Sequence, residues 1–257
     1  MSTTGAAASC ADFRDMMRCG LFAAFAAILL AACSQESETP ASDTKPNTSI
    51  VQTMPAGKPT SPTVPVGSGF DFYILSLSWS PSYCEAEGGE ANRQQCESGR
   101  PYAFVVHGLW PQFQRGFPEN CPTDERDVSN ATLRSLYDLM PSAGLIRHQW
   151  RKHGSCSGLD QDDYFAVLRA ARETVAIPAR FRRPDGYMTL DPDEAERAFL
   201  TANPSLPNDA VAVTCDRHYL REVRICMSKD LKFRSCPEID RRDCRLPNVV
   251  MPPVRGG

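Results

Sequence analysis

The chain holds four histidines, and three of them fall in two short segments. One segment reads Phe104-Val105-Val106-His107-Gly108-Leu109-Trp110-Pro111. The other reads His148-Gln149-Trp150-Arg151-Lys152-His153-Gly154-Ser155-Cys156. Histidine titrates near neutral pH, so one ring can take a proton while another gives one. A lysine beside them can stabilise developing negative charge. Two histidines and a cation suit phosphoryl transfer without a metal. His218 stands alone and reads as a surface or satisfied core residue.

Other chemistries fit these residues worse. A zinc metalloprotease needs histidines four apart with a Glu between them; here His148 and His153 are five apart and Gln149 follows the first. Gly154-Ser155-Cys156 lacks the G-x-S-x-G turn of a serine nucleophile. No pair of cysteines has the two-to-four-residue spacing of a zinc knuckle.

The elements that must position these side chains follow from patterning. Phe70–Trp79 and Tyr102–Val106 read as strands, so His107 follows a strand and precedes a glycine, where a strand end presents a side chain. Asp127–Met140 reads as a helix stopped by Pro141, and Leu145–His153 as a helix ending at Gly154. On the latter, His148 and Lys152 are four apart, as are Gln149 and His153, so all four can share one broad face. Asp160–Val175 is helical behind an acidic cap, and Asp191-Pro192 caps a helix over Asp193–Ala202. Ala210–Cys215 and Tyr219–Met227 read as paired strands, with Val223 and Ile225 alternating with Glu222 and Arg224. Helices in the middle and strands at both ends imply an α+β fold with a mainly antiparallel sheet.

Composition bounds the setting. The chain has 257 residues, 42% hydrophobic and 23% charged, with a net charge of −3. That is globular composition, and no strongly basic field exists to hold nucleic acid non-specifically. The 11 cysteines are many for a cytosolic protein and odd in number for a secreted one. Cys19–Ala32 is an uncharged apolar run behind Arg14 and Arg18. It is shorter than the ~20 residues of a membrane span and fits a signal-peptide core. The residues before Met16 are atypical of a leader, which points to Met16 or Met17 as the start. Leu30-Ala31-Ala32-Cys33 resembles the bacterial lipobox, whose cysteine is lipidated and becomes the mature N-terminus. Residues 1–33 are therefore expected to be a lipoprotein-type signal peptide. Residues 34–69, rich in Ser, Thr and Pro, are expected to form a disordered tether. Residues 70–257 form the folded domain. Its cysteines are Cys84, Cys96, Cys121, Cys156, Cys215, Cys226, Cys236 and Cys244. An exported chain makes four disulfides the expected outcome, but spacing alone leaves on the order of 100 pairings open.

HGLWPQ and HQWRKHGSC closely resemble the two active-site motifs of the ribonuclease T2 family, exported endoribonucleases that act at acid to neutral pH. The resemblance runs from about Phe70 to the late cysteines. It implies an α+β fold and the disulfides Cys84–Cys96, Cys121–Cys156, Cys215–Cys244 and Cys226–Cys236. It implies that His153 is the general base on the ribose 2′-OH and that His107 is the general acid for the leaving 5′-oxygen. His148 would bind phosphate, Lys152 would stabilise the pentacovalent transition state, and Trp110 would stack a base. The product would be a 2′,3′-cyclic phosphate, formed without cofactor or metal. DNA lacks the 2′-OH and cannot be cut this way. By the same resemblance, Gln112 and residues near Pro141-Ser142 are candidate base contacts in an enzyme of low base specificity.

The family usually has Glu where this chain has Gln149. A Gln can hydrogen-bond but cannot accept a proton as a carboxylate does. Loss of a supporting group can cost one to three orders of magnitude, roughly 1.4–4 kcal/mol. The alternative class is thus a surface lipoprotein of the same fold that binds RNA or another ligand with weakened turnover. The expected protein is a monomer, exported to the periplasm, held to the outer membrane only through Cys33, or secreted.

Overall fold

In the computed structural model the described residues are 63–240 and 243–256. The expectations for Cys33 and the leader over residues 1–33 lie outside them, as does the tether up to residue 62. What is described of the tether touches the domain: Gly67 is buried against Tyr73 and Phe70, and the Ser68 amide donates to the Ser157 carbonyl at 2.8 Å.

The fold is α+β, as the pattern implied. Strands β1 (Phe72–Trp79), β2 (Phe104–Gln112), β4 (Val211–Cys215) and β5 (Leu220–Met227) form one antiparallel sheet in the order β2-β1-β5-β4. A second sheet pairs β3 (Met188–Leu190) with β6 (Val249–Met251). Between strands lie α1 (Ser80–Glu87), α2 (Arg93–Cys96), α3 (Asn130–Leu136), α4 (Ala143–Lys152), α5 (Gln161–Thr174), α6 (Pro192–Ala202) and α7 (Pro237–Asp240).

The helices start where capping chemistry places them. Ser129, Ser142, Asp160 and Asp191 each accept a first-turn backbone N–H, which satisfies an otherwise orphaned donor. α3 is shorter than the expected Asp127–Met140, because Ser129 caps it and Leu136 ends it.

Period-two alternation gives β1 two faces. Tyr73, Leu75, Leu77 and Trp79 are fully buried in the core. There Trp79, Phe104 and Phe199 pack edge to face, and the Tyr164 hydroxyl of α5 donates to the Leu109 carbonyl at 2.8 Å. The opposite face, with Phe72, Ile74, Ser76 and Ser78, lies in register with Trp110 and Gly108 on one side and Cys226, Arg224 and Glu222 on the other. That second face floors the site.

The disulfides are Cys84–Cys96, Cys121–Cys156, Cys215–Cys244 and Cys226–Cys236, the pairing the resemblance implied. Four bridges mark an oxidising compartment and fit an exported protein.

Candidate active site

One cavity of about 590 Å3 gathers the residues singled out in the sequence: His107, Trp110, Gln112, His148, Gln149, Lys152 and His153 all line it. A second, of about 480 Å3, lies across His107 and His148 and reaches Ser142 and Leu145. Two elements build the walls. α4 and the turn after it carry the second motif, and β2 carries the first.

His107 is not at a strand end. β2 continues to Gln112, and His107 sits in its middle at a bulge. Leu77 pairs with Val106 and Ser76 with Gly108, so His107 is the extra residue. A bulge re-aims the side chain it carries. Nδ1 of His107 meets Oε1 of Glu222 on β5. Glu222 is 9% exposed, and its Oε2 accepts from Nε and Nη2 of Arg224 at 2.9 and 2.7 Å. Burial alone pushes the Glu222 carboxyl up, but the hydrogen bond and charge of His107 and the Arg224 guanidinium outweigh it and hold it at about 2.

Trp110 is the hub. Its ring lies 5.3 Å from that of His107 and 5.4 Å from that of His153, with the Arg224 guanidinium 5.3 Å from its centroid. Its indole N–H donates to Oε1 of Gln149 at 2.8 Å. That bond explains Gly108. A Cβ there would stand 2.1 Å from the Gln149 oxygen and 2.3 Å from the indole nitrogen. Gln149, 1% exposed, thus keeps an acceptor on Trp110 without a charge.

His153 is not on the helix. α4 ends at Lys152, and His153 is its C-cap at φ −124°, which turns its ring from the helical path. It is 7% exposed, and its Nδ1 is buried without a partner among the described residues, leaving Nε2 to the cleft. Burial first, then the charges of Lys152, His148 and His107, push this imidazole down to about 3. His148 is pushed down as well, by desolvation and then by Lys152, His107 and Arg151.

Lys152 lies 3.5 Å from Oε2 of Glu119. The loop holding Glu119 is tied to the helix end twice. The Asn120 amide donates to the Lys152 carbonyl at 2.9 Å, and Cys121 is bridged to Cys156. Gly154 permits the close turn; a Cβ there would meet Trp150 at 2.5 Å and Tyr164 at 2.7 Å.

Glu222 and Arg224 were not singled out as site residues in the sequence. Their only signal there was a charged alternation on a strand.

Comparison with known proteins gives a consistent picture. The model of the Ribonuclease T2 family matches residues 70–236. A ribonuclease of Aeromonas hydrophila is 34% identical over 206 residues, 72% of this chain and 87% of that protein. Ribonuclease I of Escherichia coli strain K12 is 28% identical over 204 residues, 63% of this chain and 76% of that one. Among solved structures, a mutant of RNase MC1, an enzyme of bitter gourd seeds, in complex with 5′-GMP aligns with a TM-score of 0.56 and 26% identity. It covers 70% of this chain and 99% of that one.

Proposed function

The chain belongs to the ribonuclease T2 family and is an endoribonuclease of that type, and from this we propose that it cleaves single-stranded RNA by metal-independent transphosphorylation to 2′,3′-cyclic phosphates. The observation that carries the reading is the opposed setting of two histidines on one cleft. His153 is buried beside Lys152 and held neutral; His107 is fixed against an ionised carboxylate. A neutral imidazole takes the 2′-OH proton. The 2′-oxygen attacks phosphorus, and His107 protonates the departing 5′-oxygen. Lys152 and His148 face the charge that develops on the phosphoryl oxygens. Trp110, with one face toward Arg224, stacks a base with little preference, worth ~1–3 kcal/mol. Gln112 and Ser142 border the two cavities on either side of this line and are the candidate base contacts.

Export is the coarse reading of the four disulfides. Lipidation at Cys33, anchoring to the outer membrane, and a monomeric state belong to this proposal, resting on the lipobox-like Leu30-Ala31-Ala32-Cys33. A mature N-terminus without an acyl group, read by mass spectrometry, overturns the anchor.

The test of activity is direct. The oxidised protein, incubated with mixed RNA in EDTA, is expected to degrade it, with 2′,3′-cyclic phosphate ends visible by phosphorus NMR. His107→Ala and His153→Ala are each expected to slow this ~10²–10⁴-fold. A 2′-deoxy oligonucleotide is expected to survive. The second reading, binding with weakened turnover, is favoured by Gln149 alone. It replaces the first if wild-type protein binds RNA and leaves it intact from about pH 4 to 8.

A further inference from the structure

Glu222 divides its carboxylate between two partners. Oε1 meets Nδ1 of His107, and Oε2 takes two N–H groups of Arg224. The strand carrying it is not adjacent to the strand carrying His107; β1 lies between. The contact crosses β1 only because the bulge at His107 turns the ring over the sheet face where Ser78 pairs with Glu222. We infer that Glu222 is a positioning residue for proton donation. It fixes His107 with Nδ1 toward the sheet and Nε2 toward the substrate, while Arg224 holds the carboxylate from its other side.

The inference rests on the reading of His107 as general acid. An unanchored imidazole can flip and exchange tautomers, and only one arrangement presents Nε2–H to the leaving oxygen. With Nδ1–H donated to Glu222, that arrangement is selected before substrate arrives. As the P–O5′ bond breaks, its electron pair stays on O5′, which takes the proton from Nε2. The ring is left neutral, its remaining proton still on Nδ1 and still donated to Glu222. The 2′-OH proton has gone to His153, so protons and charge balance without a further reactant. Glu222 is ionised throughout the working pH range, so it orients the ring without taking its proton. Arg224 also lines the cleft, which adds a second cation to Lys152 in its walls.

A purely structural ion pair would affect all substrates alike, whereas a device for the acid step matters only when the leaving group needs a proton. The test uses two substrates. Uridylyl-3′,5′-adenosine releases a 5′-alkoxide that needs one; uridine 3′-(4-nitrophenyl phosphate) releases a nitrophenolate that does not. Glu222→Gln is expected to cut kcat on the dinucleotide ~10-fold and Glu222→Ala ~10²-fold, with KM unchanged and turnover of the aryl ester within ~threefold of wild type. Retained aryl-ester turnover also reports that the variant is folded. His107→Ala is expected to show the same split more strongly. Equal loss on both substrates in the Glu222 variants, or no loss on either, overturns the inference alone. Equal loss on both in His107→Ala overturns the acid assignment beneath it. If neither Glu222 variant folds, Arg224→Gln leaves the carboxylate in place with one partner. It is expected to show a smaller split of the same direction, and equal loss there overturns the inference.

Discussion

The helix wall and the sheet wall of the cleft hold one key histidine each, and they treat it in opposite ways. On the helix side His153 sits among Lys152, His148 and apolar walls, and its inner nitrogen has no partner among the described residues. Everything there opposes a proton. On the sheet side the inner nitrogen of His107 is bound to a carboxylate that His107 itself, and then Arg224, keep ionised. Groups of one chemical type acquire different roles from their surroundings, which is how one site can run acid and base chemistry together. The roles differ in their means as well. The proposed base is kept neutral by burial first and then by nearby charge, most of it from its own chain segment, with His107 added from β2. The proposed acid meets its partner on a distant strand, which needs the sheet.

The largest expected effect separates the two walls by chemistry. His153→Ala removes the proposed base, which every substrate cleaved through its own 2′-OH would need. A loss of ~10²–10⁴-fold is expected on the dinucleotide and on the nitrophenyl ester alike, in contrast to His107→Ala. If His153→Ala spares the nitrophenyl ester, the assignment of the two walls is reversed. Next in size is the disulfide comparison. Cys121–Cys156 closes the helix wall, whereas Cys215–Cys244 ties β4 outside both cavities. Their sequence separations, 35 and 29, are close, so replacing either pair by serines is expected to cost a similar ~3–4 kcal/mol in chemical denaturation. Activity of the folded protein is expected to fall ~10-fold only for the first, because only that bridge holds the Glu119 loop against the end of α4. Equal activities would show that the helix wall keeps its shape without it.

The difference between the walls also explains what could be read from the sequence. His148, Gln149, Lys152 and His153 are neighbours in the chain, so their proximity needs no long-range contact. His153 still left the helical face, because the turn at Gly154 ends the helix one residue before it. Glu222 lies 115 residues from His107. Its alternation with Val223 reads as a solvated strand face. In the fold that face is the floor of the cleft. The bulge at His107 was equally hidden, since a bulge exists only relative to the strand beside it. β1, β4, β5, α5 and α6 were legible because their periodicity is long or their caps are strong; β2 was legible only to Val106, short of its end at Gln112. α1, α2 and the β3–β6 pair were not, being short and, for the strands, joined across the chain.

The smallest effect probes the helix wall through its departure from the usual motif. The free enzyme's kcat/KM follows the protonation of its base. With His153 as the proposed base, a proton on it inactivates, so lowering its pKa extends activity downward. With His153 pushed down to about 3, the acid limb is expected far below the ~6.5 of an ordinary histidine. Gln149→Glu should leave the indole bond of Trp110 intact, since a carboxylate accepts it equally well. What changes is that a titratable carboxyl enters one helical turn before His153. Burial raises the introduced carboxyl above the ordinary ~4.3, so it is neutral where His153 gains its proton, and the acid limb of the variant is expected to stay within about half a pH unit of the wild type. Near neutral pH, where His153 is deprotonated in both proteins, the rates are expected to agree within ~10-fold. A limb that moves up by a full unit or more would mean that the introduced carboxyl stays ionised and draws the proton onto His153. A wild type without activity that Gln149→Glu restores would mean that this position supplies a proton acceptor, and that the helix wall is incomplete without its carboxylate.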